Sequence, residues 1–217
     1  MVTKWFNSKK IIIFCLIFIL IITTIILIKN NYKSIKMGNN IINQSADKIK
    51  ENILNIESYK AKVQITITSN KNTNTYEATQ KYYKENNLYK QEITSPESFA
   101  GTTFEYDGSN LQIKNTKLNL SKIYENYNYI GSNELSLNNF IEDYNNNENQ
   151  DFENDEEIIL ETVVKTNNKY RKIKRLYISK NTKSPTKMEI QDNAQNTLVY
   201  ILYNEIEINK LEKEQIN

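Results

Sequence analysis

The 217-residue chain contains no histidine, one cysteine, two prolines and four glycines. Without histidine there is no Ser-His or Cys-His nucleophile pair, no His-containing zinc site and no imidazole general base. The lone cysteine, Cys15, has no intramolecular partner, so disulfides within the chain are excluded. Gly38, Gly101, Gly108 and Gly131 are too few and too scattered for a phosphate-binding or dinucleotide-binding glycine loop. Acidic residues are absent before Asp47, whereas six basic residues precede position 37. Setting those six aside leaves 22 basic against 26 acidic residues, a formal −4. That balance offers no basic stripe for nucleic acid. Lys172, Lys174 and Arg175 form a local basic cluster, expected on a solvated strand edge.

What is present first is a long apolar run. Ile11 to Ile28 contains no charged residue, and Ile11, Phe14, Cys15, Phe18, Leu20, Ile25, Leu27 and Ile28 exemplify its character. At about 1.5 Å per residue a helix of this run spans about 27 Å, close to a bilayer's hydrocarbon thickness. No small-x-small cleavage site follows it, and bulky Phe14 before Cys15 is incompatible with a lipobox. The run is therefore expected to be an uncleaved signal-anchor. Residues 1–10 then form a short cytoplasmic tail, 11–28 a single transmembrane helix, 29–44 a juxtamembrane linker and helix start, and 45–217 an extracytoplasmic domain. Lysines flank the run on both sides, so charge barely orients it. The N-terminus is placed inside because the foldable sequence lies after the run.

Beyond the anchor, periodicity alternates between two kinds. Ile42, Ala46, Ile49, Ile53 and Ile56 recur at helical spacing within Asn39 to Glu57. In "YKAKVQITITSN", Ala61, Val63, Ile65 and Ile67 alternate with polar residues, the pattern of a strand with one wet face. Strands are expected over Tyr76 to Lys84 and Leu88 to Thr94. A hairpin is expected where Phe104 and Tyr106 lead into Asp107-Gly108-Ser109-Asn110 and Leu111 and Ile113 lead out. Leu137, Phe140, Ile141 and Tyr144 form a second helical stripe, with Ser132 or Asn133 as N-cap and an end at Asn145 to Asn147. "NNNENQDFENDEE" reads as a polar, acidic loop without the glycine and ligand order of a calcium loop. Strands resume over Ile158 to Lys165, Tyr170 to Ser179, Thr186 to Gln191 and Thr197 to Asn204. The last is apolar on both faces and therefore expected to be central. The fold class is α+β: after the transmembrane helix, a curved antiparallel sheet, a half-open barrel, is covered on its concave face by two helices.

This order and its punctuation resemble the LolA-like fold. The likeness lies in "LNIESYKAKVQITI", "EYDGSNLQI" and "YISKNTKSPTKMEIQDNAQNTLVYILYNEIEIN", and it covers most of residues 45–210. Among LolA-like proteins the Asn/Lys/Ile-rich composition is most similar to the germination lipoproteins (GerS-like) of spore-forming clostridia, with a transmembrane anchor in place of a lipobox. The resemblance implies a role in sporulation and germination. It also implies a partner amidase, an N-acetylmuramoyl-alanine amidase, that makes muramic-δ-lactam in the spore cortex.

Two function classes follow. One is a membrane-tethered, non-catalytic protein-binding module, with Tyr76, Tyr82, Tyr83 and Tyr89 as a candidate partner surface, since aromatics are enriched at interface cores. The other is a lipid or acyl-chain carrier whose apolar cavity is lined by Val63, Ile65, Ile67, Phe104, Leu111 and Ile113. Enzymatic activity is the weakest class. Asp107, Asp143, Glu189 and Asp192 are the carboxylates available to a histidine-free hydrolase, but two of them fall in turns that favour Asp for backbone reasons. No catalytic residue, metal ligand or cofactor is assigned.

Overall fold

The computed structural model describes residues 45–127, 133–165 and 171–211. The segment expected to be an anchor, Ile11 to Ile28, lies outside them. Among the described residues no helix is long and apolar enough to cross a membrane. The chain divides into two compact units, Met1–Lys48 and Ile49–Asn217. The second holds the whole sheet.

Helix α1 (45–54) leads into β1 (Ser58–Thr68), β2 (Thr73–Tyr83), β3 (Leu88–Ser95), β4 (Thr102–Asp107), β5 (Leu111–Asn115) and β6 (Leu120–Tyr124). Helix α2 (Leu137–Asn146) follows, then β7 (Glu148–Glu153), β8 (Glu157–Lys165), β9 (Arg171–Ser179), β10 (Ser184–Gln191) and β11 (Thr197–Ile208). The eleven strands of the described residues form one open sheet in the order β6-β5-β4-β3-β2-β1-β11-β10-β9-β8-β7, with every neighbouring pair antiparallel. The first six strands meander from the middle to one edge. The chain then passes through α2 to the opposite edge, and the last five meander back until β11 pairs with β1. This is the curved antiparallel sheet with two helices expected from the sequence.

Alternation along each strand sends successive side chains to opposite faces. On β1 the odd positions Tyr59, Ala61, Val63 and Ile65 are buried, while Lys60, Lys62 and Thr68 are exposed. Through the register this inner face continues as Ile201 and Tyr203 on β11, Met188 and Ile190 on β10, Leu176 and Ile178 on β9, and Ile158 and Leu160 on β8. Ile49, Ile53 and Ile56 are also buried, as are Leu137, Phe140 and Tyr144 of α2. Burying a side chain of this size contributes about 1.5–3 kcal/mol, and this apolar layer is what holds sheet and helices together. β11 is central, as its two apolar faces imply.

The β4–β5 turn depends on Gly108. Its φ is +97°, and a Cβ there would lie 2.4 Å from the Asn86 carbonyl oxygen. Only glycine tolerates that conformation together with so close a backbone approach. Asp107 completes the turn by accepting bonds from the backbone N–H of Ser109 (2.9 Å) and Asn110 (2.7 Å).

Three local expectations are corrected. The acidic segment after α2 contains a strand, β7, rather than only a loop, and β6 is a strand the alternation pattern does not show. Both are sheet edges whose residues are all exposed, so no buried face imposes a period-two pattern. The N-cap of α2 is Ser136, whose Oγ accepts the Asn139 N–H at 3.3 Å, instead of Ser132 or Asn133; Ser132 lies outside the described residues. The basic cluster on β9 is not a solvated edge. β9 is flanked by β8 and β10, and Lys174 is fully covered and bonded to Asp143 and Asn139.

Candidate functional site

A row of tyrosines crosses half of the inner face. Tyr59 on β1 is in register with Tyr82 on β2, Tyr82 with Tyr89 on β3, and Tyr89 with Tyr106 on β4. Leu111 on β5 and Tyr124 on β6 extend the row to the sheet edge. The Tyr59 and Tyr82 rings are tilted 37° with centroids 5.8 Å apart. Burial, reinforced by the charges of Glu57 and Glu142, pushes the Tyr82 phenol up to about 12. Burial and neighbouring Asp107 raise Tyr106 as well. These phenols therefore stay protonated at physiological pH.

The next row is partly polar. Gln80 on β2 and Gln91 on β3 stand opposite each other, both buried. Gln80 Nε2 donates to Gln91 Oε1 at 3.1 Å and to the Leu135 carbonyl at 3.2 Å. Tyr89 donates to the same Gln91 oxygen at 2.9 Å, and Tyr59 donates to Asn138 Oδ1 at 3.2 Å. These bonds tie the start of α2 to the sheet.

Between α2 and the tyrosine row lies a cleft of about 380 Å³. Tyr82 and Tyr106 form its floor, Ile56 and Ile141 contribute apolar walls, and Asn138 and Glu142 add polar atoms. Its chemistry is that of an adhesive surface: aromatic rings beside amides and a single carboxylate. Lys84, at the rim, is paired with Glu57 at 2.9 Å. A second, open groove of about 470 Å³ lies on the other face of β3–β6. There Glu105 bridges Lys90 at 3.0 Å and Lys114 at 2.6 Å. Burial opposes ionisation of Glu105, but the two ammonium groups outweigh it and hold its carboxyl below the usual range.

The residues proposed to line an apolar cavity share the inner face. Val63, Ile65 and Leu111 are buried, and Ile67, Phe104 and Ile113 are half-buried. They do not form one continuous strip. Val63, Ile65 and Ile67 pair with Tyr203, Ile201 and Val199 on β11, whereas Phe104 pairs with Ile113 and Leu111 with Tyr106. The Gln80–Gln91 pair stands between Ala61 and Phe104, while buried Ala78 and Ile93 continue the row of Val63.

The tyrosine surface is not brought together as expected. Tyr82 and Tyr89 are buried at 7% and 1% exposure, because both point to the helix-covered face. Tyr76 is half-buried against Phe99, edge to face at 5.7 Å, and Tyr83 is on the opposite face, donating to Glu85 at 3.1 Å. The four carboxylates also have local partners. Asp107 and Asp192 cap turns, each held below the ordinary carboxylate range by hydrogen bonds from its own turn. Asp143 pairs with Lys174, and Glu189 with Lys187 at 3.3 Å and the Tyr177 hydroxyl at 3.2 Å. Among the described residues no group of three or more acidic or cysteine side chains is placed to hold a metal.

One further surface is not visible in the sequence periodicity. Leu118, Leu120, Ile123, Tyr124 and Tyr127 are all exposed, and all lie on β6 or its flanks. The only signal for them is that both parities of "LSKIYENY" carry apolar residues.

A sequence-family model described as "Sporulation protein YdcC-like" matches residues 8–216. No curated protein matches the sequence. Among solved structures, an uncharacterized conserved protein from Thermus thermophilus is similar over 79% of this chain and 92% of its own, with 14% identity and a TM-score of 0.50. The structure of the CwlD amidase from Clostridioides difficile in complex with the GerS lipoprotein matches at 25% identity and a TM-score of 0.42, covering 78% of this chain and 94% of the matched one. The LolA superfamily protein NE2245 from Nitrosomonas europaea matches at 14% identity and a TM-score of 0.41, covering 79% and 97%.

Proposed function

The chain belongs to the YdcC-like family of sporulation proteins, and on that premise we propose that it is a membrane-tethered, non-catalytic binding protein of the outer face of the cytoplasmic membrane. Its partner in this reading is a peptidoglycan-modifying N-acetylmuramoyl-alanine amidase, which it stabilises or activates during formation of the spore cortex. The observation that carries the proposal is the family match across residues 8–216. The sequence resemblance to the germination lipoproteins supports the choice of partner. The structural engagement of Asp107, Asp143, Glu189 and Asp192 supports the absence of catalysis. The physical logic is linkage: a protein that binds only the active, folded form of its partner raises that form's population by mass action.

A lipid-carrying role is the weaker reading. Gln80 and Gln91 interrupt the apolar inner face between Ala61 and Phe104, and an acyl chain laid across that row would meet buried amides that already hydrogen-bond one another and the Leu135 carbonyl.

Ile11–Ile28 is the tether in this proposal. Protease treatment of intact protoplasts should remove the domain after residue 37, and a protected domain would reverse the topology. Affinity capture of the full chain from detergent extracts of sporulating cells should bring down the amidase. Capture that recovers lipid and no amidase would favour the carrier instead.

A further inference from the structure

The two edges of the sheet are built differently. β7 carries Glu148, Asp151 and Glu153, with Lys50 bonded to Asp151 and Lys180 to Glu153. A charged edge of this kind discourages a further strand from pairing. β6, at the opposite edge, carries Leu120, Ser121, Lys122, Ile123 and Tyr124, and is flanked by Leu118 and Tyr127. Of the seven large hydrophobic residues exposed among the described residues, five lie here, between 37% and 64% exposed.

The backbone of this edge is open as well. Thr116 N–H bonds to the Gly101 carbonyl on the β4 side of β5. Alternation then turns the N–H and C=O groups of Ile113 and Leu111 toward Lys122 and Tyr124 of β6. The same alternation leaves the N–H and C=O groups of Ser121 and Ile123 facing outward, where no strand of the described residues pairs with them.

The charge of the edge is also specific. Lys114 is bonded to Glu105 and Lys117 to Glu97. Lys122 has no carboxylate partner among the described residues; its ammonium lies 4.6 Å from the Tyr124 ring centroid. On the inner face Lys122 stands between Leu120 and Tyr124.

We propose that β6 is a docking edge for an extended segment of a partner protein in which an acidic residue is flanked two positions away on each side by apolar residues. The segment adds as a twelfth strand through the outward groups of Ser121 and Ile123. Its apolar residues cover Leu120 and Tyr124, and its carboxylate lies opposite Lys122. A second copy of the chain is a poorer occupant. A two-fold pairing centred on β6 sets one Lys122 directly against the other, and like charges directly opposite destabilise a strand pair. The inference rests on the binding-protein reading and names the surface such a protein uses.

The test uses the full chain in detergent micelles and two fluorescein-labelled synthetic heptapeptides, Thr-Val-Thr-Glu-Thr-Val-Thr and the same peptide with Lys in place of Glu. Fluorescence anisotropy should show the Glu peptide binding more tightly, by about fivefold, the scale of exchanging an opposite for a like cross-strand charge. Lys122→Glu, a change at an exposed position, should invert the preference. Ser121→Pro removes an outward N–H without removing a backbone bond to β5; it costs only the exposed Gln112 Nε2–Ser121 Oγ hydrogen bond of 3.1 Å, so it should abolish binding of both peptides while circular dichroism stays unchanged and the melting temperature falls little. Absence of binding, equal binding of the two peptides, or a preference that survives Lys122→Glu would overturn the proposal. A concentration-dependent dimer in sedimentation that Ser121→Pro dissolves would also overturn it, in favour of a second copy. Because the probe is synthetic, loss of amidase association leaves this result standing. Failure of the probe would move amidase association to another surface without removing it.

Discussion

Lys174 Nζ on β9 lies 2.5 Å from Asp143 Oδ2 on α2, and the lysine side chain is 2% exposed. Asn139 Oδ1, one turn earlier on the same helix, accepts a second bond from that ammonium at 2.7 Å. Helix and sheet are thus joined by a largely covered ion pair, in addition to the Tyr59–Asn138 and Gln80–Leu135 hydrogen bonds. Removing one member of such a pair leaves an uncompensated charge, which costs about 3–5 kcal/mol. Asp143→Asn should therefore lower stability by that order in urea unfolding. The double change Lys174→Met with Asp143→Leu should recover most of the loss, since an apolar replacement of both partners is close to neutral.

The alternation of β1 makes a paired comparison possible. Ile65 is 1% exposed, whereas neighbouring Thr66 faces the other side and bonds Thr75 across the strands at 3.2 Å. Ile65→Asp should destabilise by several kcal/mol, and Thr66→Asp by about 1 kcal/mol or less. Equal shifts in melting temperature would contradict the assignment of faces.

Gly108→Ala should destabilise by more than about 1 kcal/mol, because the new Cβ meets the Asn86 carbonyl in a backbone conformation that alanine disfavours. Denaturant unfolding measures the loss, and an unchanged midpoint would show that the β4–β5 turn adapts.

The buried tyrosine row has a signature at high pH. The Tyr82 phenol is raised to about 12 in the folded chain, against an unfolded value near 10. The folded state therefore holds this proton more tightly. The associated stability is complete below about pH 10 and is lost as pH rises toward about 12. Tyr82→Phe should make melting temperature fall less steeply across that window than in the unaltered chain. Identical slopes would mean that the phenol is not buried.

Legibility in the sequence tracked burial. β1, the β4–β5 hairpin, α2 and the central β11 were all readable, because each packs a face whose period shows in the residues. Leu137, Phe140 and Tyr144 are nearly or fully buried, as their spacing required. β6 and β7 were not readable, because edge strands with both faces wet need no alternation. Lys174 is hidden for a related reason: a lysine in a strand suggests solvent unless its partner is known, and Asp143 lies 31 residues earlier. The tyrosine row was equally hidden. Tyr59, Tyr82, Tyr89 and Tyr106 are visible singly, but only the register places them in one line. That register also shows why Tyr82 and Tyr89 are buried on the helix-covered face, whereas Tyr83 lies on the other.

The central claim, support of a cortex amidase, is tested most directly by the muramic-δ-lactam content of spore peptidoglycan from a strain lacking this gene. The lactam should be lost or strongly reduced, and restored by the 217-residue chain but not by one whose Ile11–Ile28 segment is deleted. Normal lactam content in the deletion strain would contradict it.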